Sequence, residues 1–331
     1  MSANRLSLRL FLTVVFATVV AAYALTVALP HNPYIRYQQF KDTIFERLAW
    51  IYERVHFDPT PIDIAFIGSS RTEAGVASPL LEKYLSEGGR ELKVVNLSIP
   101  SSGMDIRYAE ARELLQAKQV KLLVIAVVEA FPRDGHQAYG DLETAGEIFK
   151  SPLIVNRNLP KTLARLPVRQ IDLFVKSIFP QAFSLKGDFD GQPSAEDPAY
   201  ERPETSDLSP EEHAKALAEE TARRKREIRW PILPENFRWV EYGVSRTYIE
   251  RIAELAKDNG TELAFLFLPF YNGYDAPLEI DWLQEFGPVW IADFIKDNPE
   301  NYRDAAHVKS VVTDSVARWL AGKIDQLLLK D

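Results

Sequence analysis

Ile62-Asp63-Ile64-Ala65-Phe66-Ile67-Gly68-Ser69-Ser70-Arg71-Thr72 carries an abrupt change of pattern. A β-rich apolar run stops at a glycine, two hydroxyls follow, and a helical pattern begins near Val76 (Val76-Ala77-Ser78-Pro79-Leu80-Leu81). The order strand, tight turn, helix places a serine at the carboxyl end of a strand. In open α/β sheets that rim binds ligands, and the helix N-terminus that follows favours negative charge. Gly-Ser-Ser is also ordinary loop chemistry and Ser a frequent helix cap, so the stretch needs partners elsewhere before it implies catalysis.

Working outward, the alternation repeats. A helix from about Val76, a strand over 92–97, a helix over Met104–Ala117 and a strand over 122–128 follow in turn. After an interruption come a helix over 244–257 closed by Asn259-Gly260, a strand over 263–268, a helix over 282–295 and a long C-terminal helix over 308–329. Near-continuous apolar strands alternating with helices predict a mainly parallel sheet covered on both faces, that is, a three-layer α/β/α domain over residues 62–331. The interruption, about 133–242, reads as an irregular and helical insertion on the rim that carries Ser70, placed to form a lid or a partner surface. Within it, 186–207 is rich in Gly, Asp, Pro and Ser and reads as a mobile loop. Ser209-Pro210-Glu211-Glu212 then opens a capping-box helix whose charges run nearly all round, the pattern of a solvated helix.

Upstream, Arg5 and Arg9 precede an uncharged run over residues 10–30, and a hydrocarbon core takes about 20 residues to cross. The basic flank orients as cytoplasmic, so residues 1–30 are expected to be an anchor and the rest to lie outside. A cleaved signal peptide is the rival reading, since Ala22-Tyr23-Ala24 resembles a cleavage site, but apolar residues continue to Leu29. Either way the main domain is exported, in a bacterium to the periplasm, with the uncleaved form held in the inner membrane. Residues 31–61 read as a juxtamembrane helix over 34–57 and a Pro-rich linker, packed either on the bilayer or on the domain.

The 331 residues are 46% hydrophobic, enough for a sizeable core, and carry a net charge of −8, which argues against a nucleic-acid partner. There is no cysteine, so disulfides, thiolate catalysis and Cys-ligated metals are excluded. The sequence shows no metal-ligand cluster, Walker loop or dinucleotide fingerprint, and no cofactor is expected.

A serine nucleophile needs a base, and the base an orienting acceptor. Of five histidines, His307 stands apart. It lies in Tyr302-Arg303-Asp304-Ala305-Ala306-His307 before the last helix, where the i, i+3 spacing lets Asp304 accept from one ring nitrogen while the other faces a neighbouring loop.

Gly68-Ser69-Ser70 together with Asp304-Ala305-Ala306-His307 resembles the SGNH/GDSL hydrolase superfamily. The resemblance implies Ser70 as nucleophile, His307 as base and Asp304 as orienter, in an SGNH-like domain. The family's second block looks like Val95-Asn96-Leu97-Ser98-Ile99-Pro100-Ser101-Ser102-Gly103, with Ser101 at the glycine position; the amides of Ser70 and Ser101 are then the implied oxyanion hole. In the third block the family has an asparagine where this chain has Glu129, whose role is open: structural, hydrogen-bonding, or linked to a different acyl acceptor. With the N-terminal anchor, the chain is similar to the membrane-anchored branch that includes D-alanyl-transfer and alginate O-acetylation proteins. The resemblance implies an extracytoplasmic serine esterase or O-acetyltransferase acting on a surface polysaccharide, working beside a membrane-bound acyltransferase. The alternative is a non-catalytic glycan-binding or scaffold partner of such an acyltransferase. Arg71, Glu129 and Tyr271 are candidate substrate contacts: Arg71 for an anionic group or else an ordinary surface Arg, and Tyr271, within Pro269-Phe270-Tyr271-Asn272, for stacking on sugar or else part of a packed loop.

Overall fold

In a computed structural model, which describes residues 2–191 and 208–329, the chain forms an α/β domain behind one long apolar helix. The elements in order are α1 (Ser2–Val27), α2 (Pro33–Gln38), α3 (Arg47–His56), β1 (Ile64–Ile67), α4 (Ser70–Gly75), α5 (Ser78–Glu87), β2 (Val94–Asn96), α6 (Met104–Ala117) and β3 (Leu122–Val127). The insertion contributes α7 (Tyr139–Leu142), α8 (Ala145–Phe149), α9 (Leu159–Ile178), α10 (Pro210–Glu227) and α11 (Arg238–Glu241). The domain closes with α12 (Gly243–Asp258), β4 (Glu262–Phe267), α13 (Ile280–Gln284), β5 (Val289–Ile291) and α14 (Ser310–Leu328). All strand pairs are parallel, in the order β2-β1-β3-β4-β5.

Strand alternation sends successive side chains into two separate cores. Ala65 and Ile67 of β1 join a cluster with Leu48 and Ile51 of α3, Leu114 of α6 and Ile249 of α12. Ile64 and Phe66 join another with Leu81 and Leu85 of α5 and Val316, Leu320 and Ile324 of α14. Each such fully buried aliphatic or aromatic side chain contributes about 1.5–3 kcal/mol, so the strands are held chiefly by what covers them. In α1, residues 8–27 are long and apolar enough to cross a membrane.

Several expectations are corrected. The segment 282–295 is not one helix: α13 stops at Gln284, and the fifth strand follows. Gly287 and Pro288 break the helix, and a Cβ at Gly287 would sit 2.2 Å from the Leu263 carbonyl oxygen, so only glycine lets the chain pass β4 that closely. The 34–57 segment is two helices, α2 and α3, separated by turns through Asp42, which has φ +62°. The second strand is shorter than 92–97, and the turn after β1 is itself a short helix, α4. Of the loop expected over 186–207, residues 192–207 lie outside the described residues.

The α2–α3 pair packs on the domain through charge as well as apolar area. Glu113 of α6 meets His56 Nε2 at 3.1 Å, Arg112 at 2.8 Å and Arg36 at 3.7 Å. Burial works to raise its pKa, but the His56 hydrogen bond and the two guanidinium groups outweigh burial and bring it down to about 2. An unfolded Glu titrates near ~4.3, so this stabilisation is fully present above that pH and is lost as pH falls toward ~2. Glu113→Gln should therefore lower stability at neutral pH by on the order of 2 kcal/mol. It should also flatten the loss between about pH 4 and 2, read by urea denaturation of the full chain across pH; an unchanged acid limb would refute the assignment.

Candidate active site

Gly68 ends β1 where there is no room for a side chain. A Cβ there would lie 2.4 Å from Thr72 Oγ1 and 2.6 Å from Ala126 Cβ. The chain then turns at Ser69, whose Oγ accepts from the Arg71 amide at 3.4 Å as the N-cap of α4. Ser70 is the first residue of that helix, so its hydroxyl stands at the tip of the turn. From the far end of the chain, His307 Nε2 lies 2.7 Å from Ser70 Oγ. His307 Nδ1 is 2.8 Å from both carboxylate oxygens of Asp304. The tautomer protonated on Nδ1 donates to Asp304 and leaves Nε2 free to accept from Ser70.

The loop bearing Asp304 is held by its own amides: Ala306 and His307 donate to Asp304 Oδ1 at 2.9 and 3.0 Å. Burial pushes the Asp304 carboxyl up, but the His307 hydrogen bond, its charge and these amides outweigh burial and hold it at about 2. Asp304 is thus ionised throughout the neutral and mildly acidic range, as an orienting acceptor must be. The sequence-predicted Ser70, His307 and Asp304 are brought together.

Ser101 lines the same cleft, of about 360 Å³, with Ser70 and His307. Its φ is +54°, the left-handed region that glycine enters freely. The amide N–H of Ser101 has no acceptor among the described residues. Neighbouring Ser102 ties the loop down, its Oγ donating to the Gly68 carbonyl at 2.7 Å. Asn96 anchors the other side: it is fully buried and its amide donates to Thr72 O and Val76 O, both at 2.9 Å, clamping α4 to the end of β2.

The three expected substrate contacts fare differently. Arg71 borders the cleft, yet its guanidinium is gripped by Glu129 through two bonds of 2.6 and 2.8 Å and by Leu268 O at 3.2 Å. Glu129 is 3% exposed and is absorbed in that pair rather than lining the cleft. Tyr271 takes the packed-loop alternative: it is buried against Tyr302, 5.8 Å between ring centres, and is not among the residues that line the cleft.

Residues the sequence did not single out complete the site. Arg107 of α6 is fully buried at the base of the cleft. It donates to Ser102 Oγ and Ser102 O, both at 3.1 Å, and to Ala126 O. Burial lowers its pKa to about 10, which leaves it charged at neutral pH. The helix expected to be solvated, α10, instead buries His213, Leu217 and Thr221. Thr221 Oγ1 donates to Tyr271 O at 3.0 Å, and Glu220 accepts from the Ala305 amide at 2.9 Å, between Asp304 and Ala306. That face then delivers Arg224 to the cleft. The spacing of 213, 217, 221 and 224 marks one helix face, a signal hidden among the surrounding charges.

No family model matches this chain, and no curated protein matches it significantly.

The Arg71–Glu129 pair makes a stability test. Truncating one partner of a buried pair leaves an uncompensated charge and costs about 3–5 kcal/mol, whereas replacing both by apolar groups is often nearly neutral. Glu129→Ala should be strongly destabilised and Arg71→Met/Glu129→Leu largely restored, by urea denaturation; equal losses in both would refute a self-contained pair.

Proposed function

We propose that the chain is an SGNH-type serine acyl-ester hydrolase or O-acetyltransferase of a surface or exported polysaccharide. In this reading α1 anchors it in the inner membrane, the α/β domain is periplasmic and three-layered, and a membrane-bound acyltransferase is its partner. The observation that carries the reading is the unbroken hydrogen-bonded line from Asp304 through His307 to Ser70 Oγ, opening on a cleft. Two separate apolar cores, one for each set of alternating strand residues, support the three-layer arrangement.

In the proposed reaction Ser70 Oγ attacks the carbonyl carbon of an ester as its proton passes to His307 Nε2. The imidazolium that forms is balanced by Asp304. The oxyanion is met by the amides of Ser70 and Ser101, with the N-terminus of α4 and the Arg107 charge beneath contributing favourable potential. Collapse breaks the bond to the alcohol, which leaves with the proton from His307. An acceptor hydroxyl, on a polysaccharide or in water, then gives its proton to His307 and takes the acyl group, and His307 returns that proton to Ser70 Oγ as the acyl-serine bond breaks. Glu129 supplies no amide N–H where the family has asparagine, so the hole rests on backbone donors, and an amide donor of this kind is worth about 10²–10³ in rate.

A fluorophosphonate should attach to Ser70 in the full chain, seen as a mass increase on its peptide, and the adduct should vanish in Ser70→Ala. Asp304→Asn, which favours the wrong tautomer, should slow labelling by up to about 10⁴. A folded protein with no adduct would overturn the enzyme reading in favour of a non-catalytic glycan-binding or scaffold partner. Acyl groups appearing on added glycan rather than as free acid distinguish transfer from hydrolysis.

Arg224 gives a separable test. Arg224→Ala should leave fluorophosphonate labelling intact while lowering kcat/KM on an acetylated polysaccharide about tenfold, or roughly 1.4 kcal/mol. Equal losses on the polysaccharide and on a small aryl acetate would show that Arg224 does not read the polymer.

A further inference from the structure

The insertion helix α9 presents apolar residues on two faces. Leu159, Leu166 and Leu173 are buried against the domain. On the opposite side Ala164, Val168, Ile171, Val175 and Ile178 recur at i, i+4, i+7, i+11 and i+14, one stripe of a 3.6-residue helix. This stripe is open: Val168 is 71% exposed, Ile171 48% and Ile178 51%, and it runs on into Phe179 at 59%. An outward helix face in water is normally polar, and a contiguous exposed apolar patch marks an interaction surface.

What lies beside α9 indicates what covers the stripe. Tyr23 Oη of α1 donates to Leu163 O at 2.8 Å, Asn32 N donates to Ser177 Oγ at 2.8 Å, and the Gln170 amide donates to Leu29 O. Tyr23 belongs to the apolar span Leu8–Val27, four residues before its end. The Leu163 end of α9 is therefore tied to the last turns of the span, while Gln170 and Ser177 are tied to Leu29 and Asn32 just beyond it. Interfacial helices bury their apolar faces about 5–10 Å into the headgroup and acyl boundary. The side of α9 that meets α1 is about a quarter turn of helix from the stripe, so α1 does not cover it. Lys161 and Arg165 are exposed beside the stripe at the end nearer Tyr23, where their long stems can carry charge up to lipid phosphates.

We infer that α9 is a second membrane contact, an interfacial helix whose outer stripe is seated in the surface of the bilayer that α1 spans at the end beside α1, through Ala164, Val168 and Ile171. This rests on the anchoring of α1 proposed above. The insertion then fixes the orientation of the domain on the membrane, which a single flexible tether would leave free.

The cysteine-free chain makes the test direct. Val168→Cys and Ile171→Cys, each carrying a nitroxide, are placed in the full chain in vesicles of phosphatidylethanolamine and phosphatidylglycerol. Spin-label collision with oxygen and with a water-soluble nickel chelate is then compared with Val15→Cys in α1 and Glu219→Cys on the exposed side of α10. Labels at 168 and 171 should shift toward the lipid-like behaviour of Val15. Water-like behaviour at both positions with Val15 lipid-like would overturn the inference while leaving the anchor standing. Water-like behaviour at Val15 as well would remove the anchor and this inference together.

Discussion

The carbonyl oxygen of Gly68 accepts from Ile99 N at 3.1 Å and from Ser102 Oγ at 2.7 Å. Those two bonds fasten the turn that bears Ser70 to the loop that bears Ser101. Neither would form if β1 could not run so close to Ala126 and Thr72, a closeness that the missing Cβ of Gly68 allows. Arg107 then braces the joint from below by holding both oxygens of Ser102, and Asn96 braces it from the β2 side. Buried polar groups cost stability unless each is paired. Here the pairing also positions two loops that meet at this strand end. The geometry around Ser70 thus depends on one glycine and on three buried polar side chains, none of which exchanges a bond or a proton in the proposed chemistry.

Sheet and triad were legible in the sequence for a common reason: each is written in local spacing. Parallel strands buried on both faces must be apolar throughout, and 64–67, 122–127 and 262–267 are nearly so. The Asp304-to-His307 spacing of three closes one hydrogen-bonded loop. What escaped was set by tertiary contact. The fifth strand is three residues long and exists because β4 offers an open edge beside it, which no periodicity announces. Glu129 read as an anomaly in its block because its partner Arg71 is 58 residues away. Tyr271 read as a rim residue because it follows a strand, whereas the loop folds back and buries it.

Charge around the cleft divides by origin. Arg71 and Arg107, from the α/β core, are both committed, the first to a carboxylate and the second to backbone and hydroxyl oxygens. Arg224 comes from the insertion and, among the described residues, its guanidinium meets Glu220 at 3.5 Å, a long contact. Glu220 in turn holds the amide of Ala305, within the loop that presents Asp304 and His307. Arg223 faces the same Glu220 oxygen at 3.5 Å, while the Ala305 amide uses the other one. One carboxylate of α10 therefore touches both a cleft arginine and the loop that bears Asp304 and His307.

The same insertion meets α1 at its other end through Leu163, and the segment just after α1 through Gln170 and Ser177. Its two docking sites differ in kind. On the α10 side the contacts are single hydrogen bonds to loops together with the buried Leu217. On the α9 side they are bonds to the end of an apolar helix and to the segment just after it. The described residues of the insertion thus touch both the end of α1 and the loop that bears Asp304 and His307. The irregular composition of 133–242, which reads as an interruption of the α/β pattern, is in physical terms the brace between α1 and the cleft.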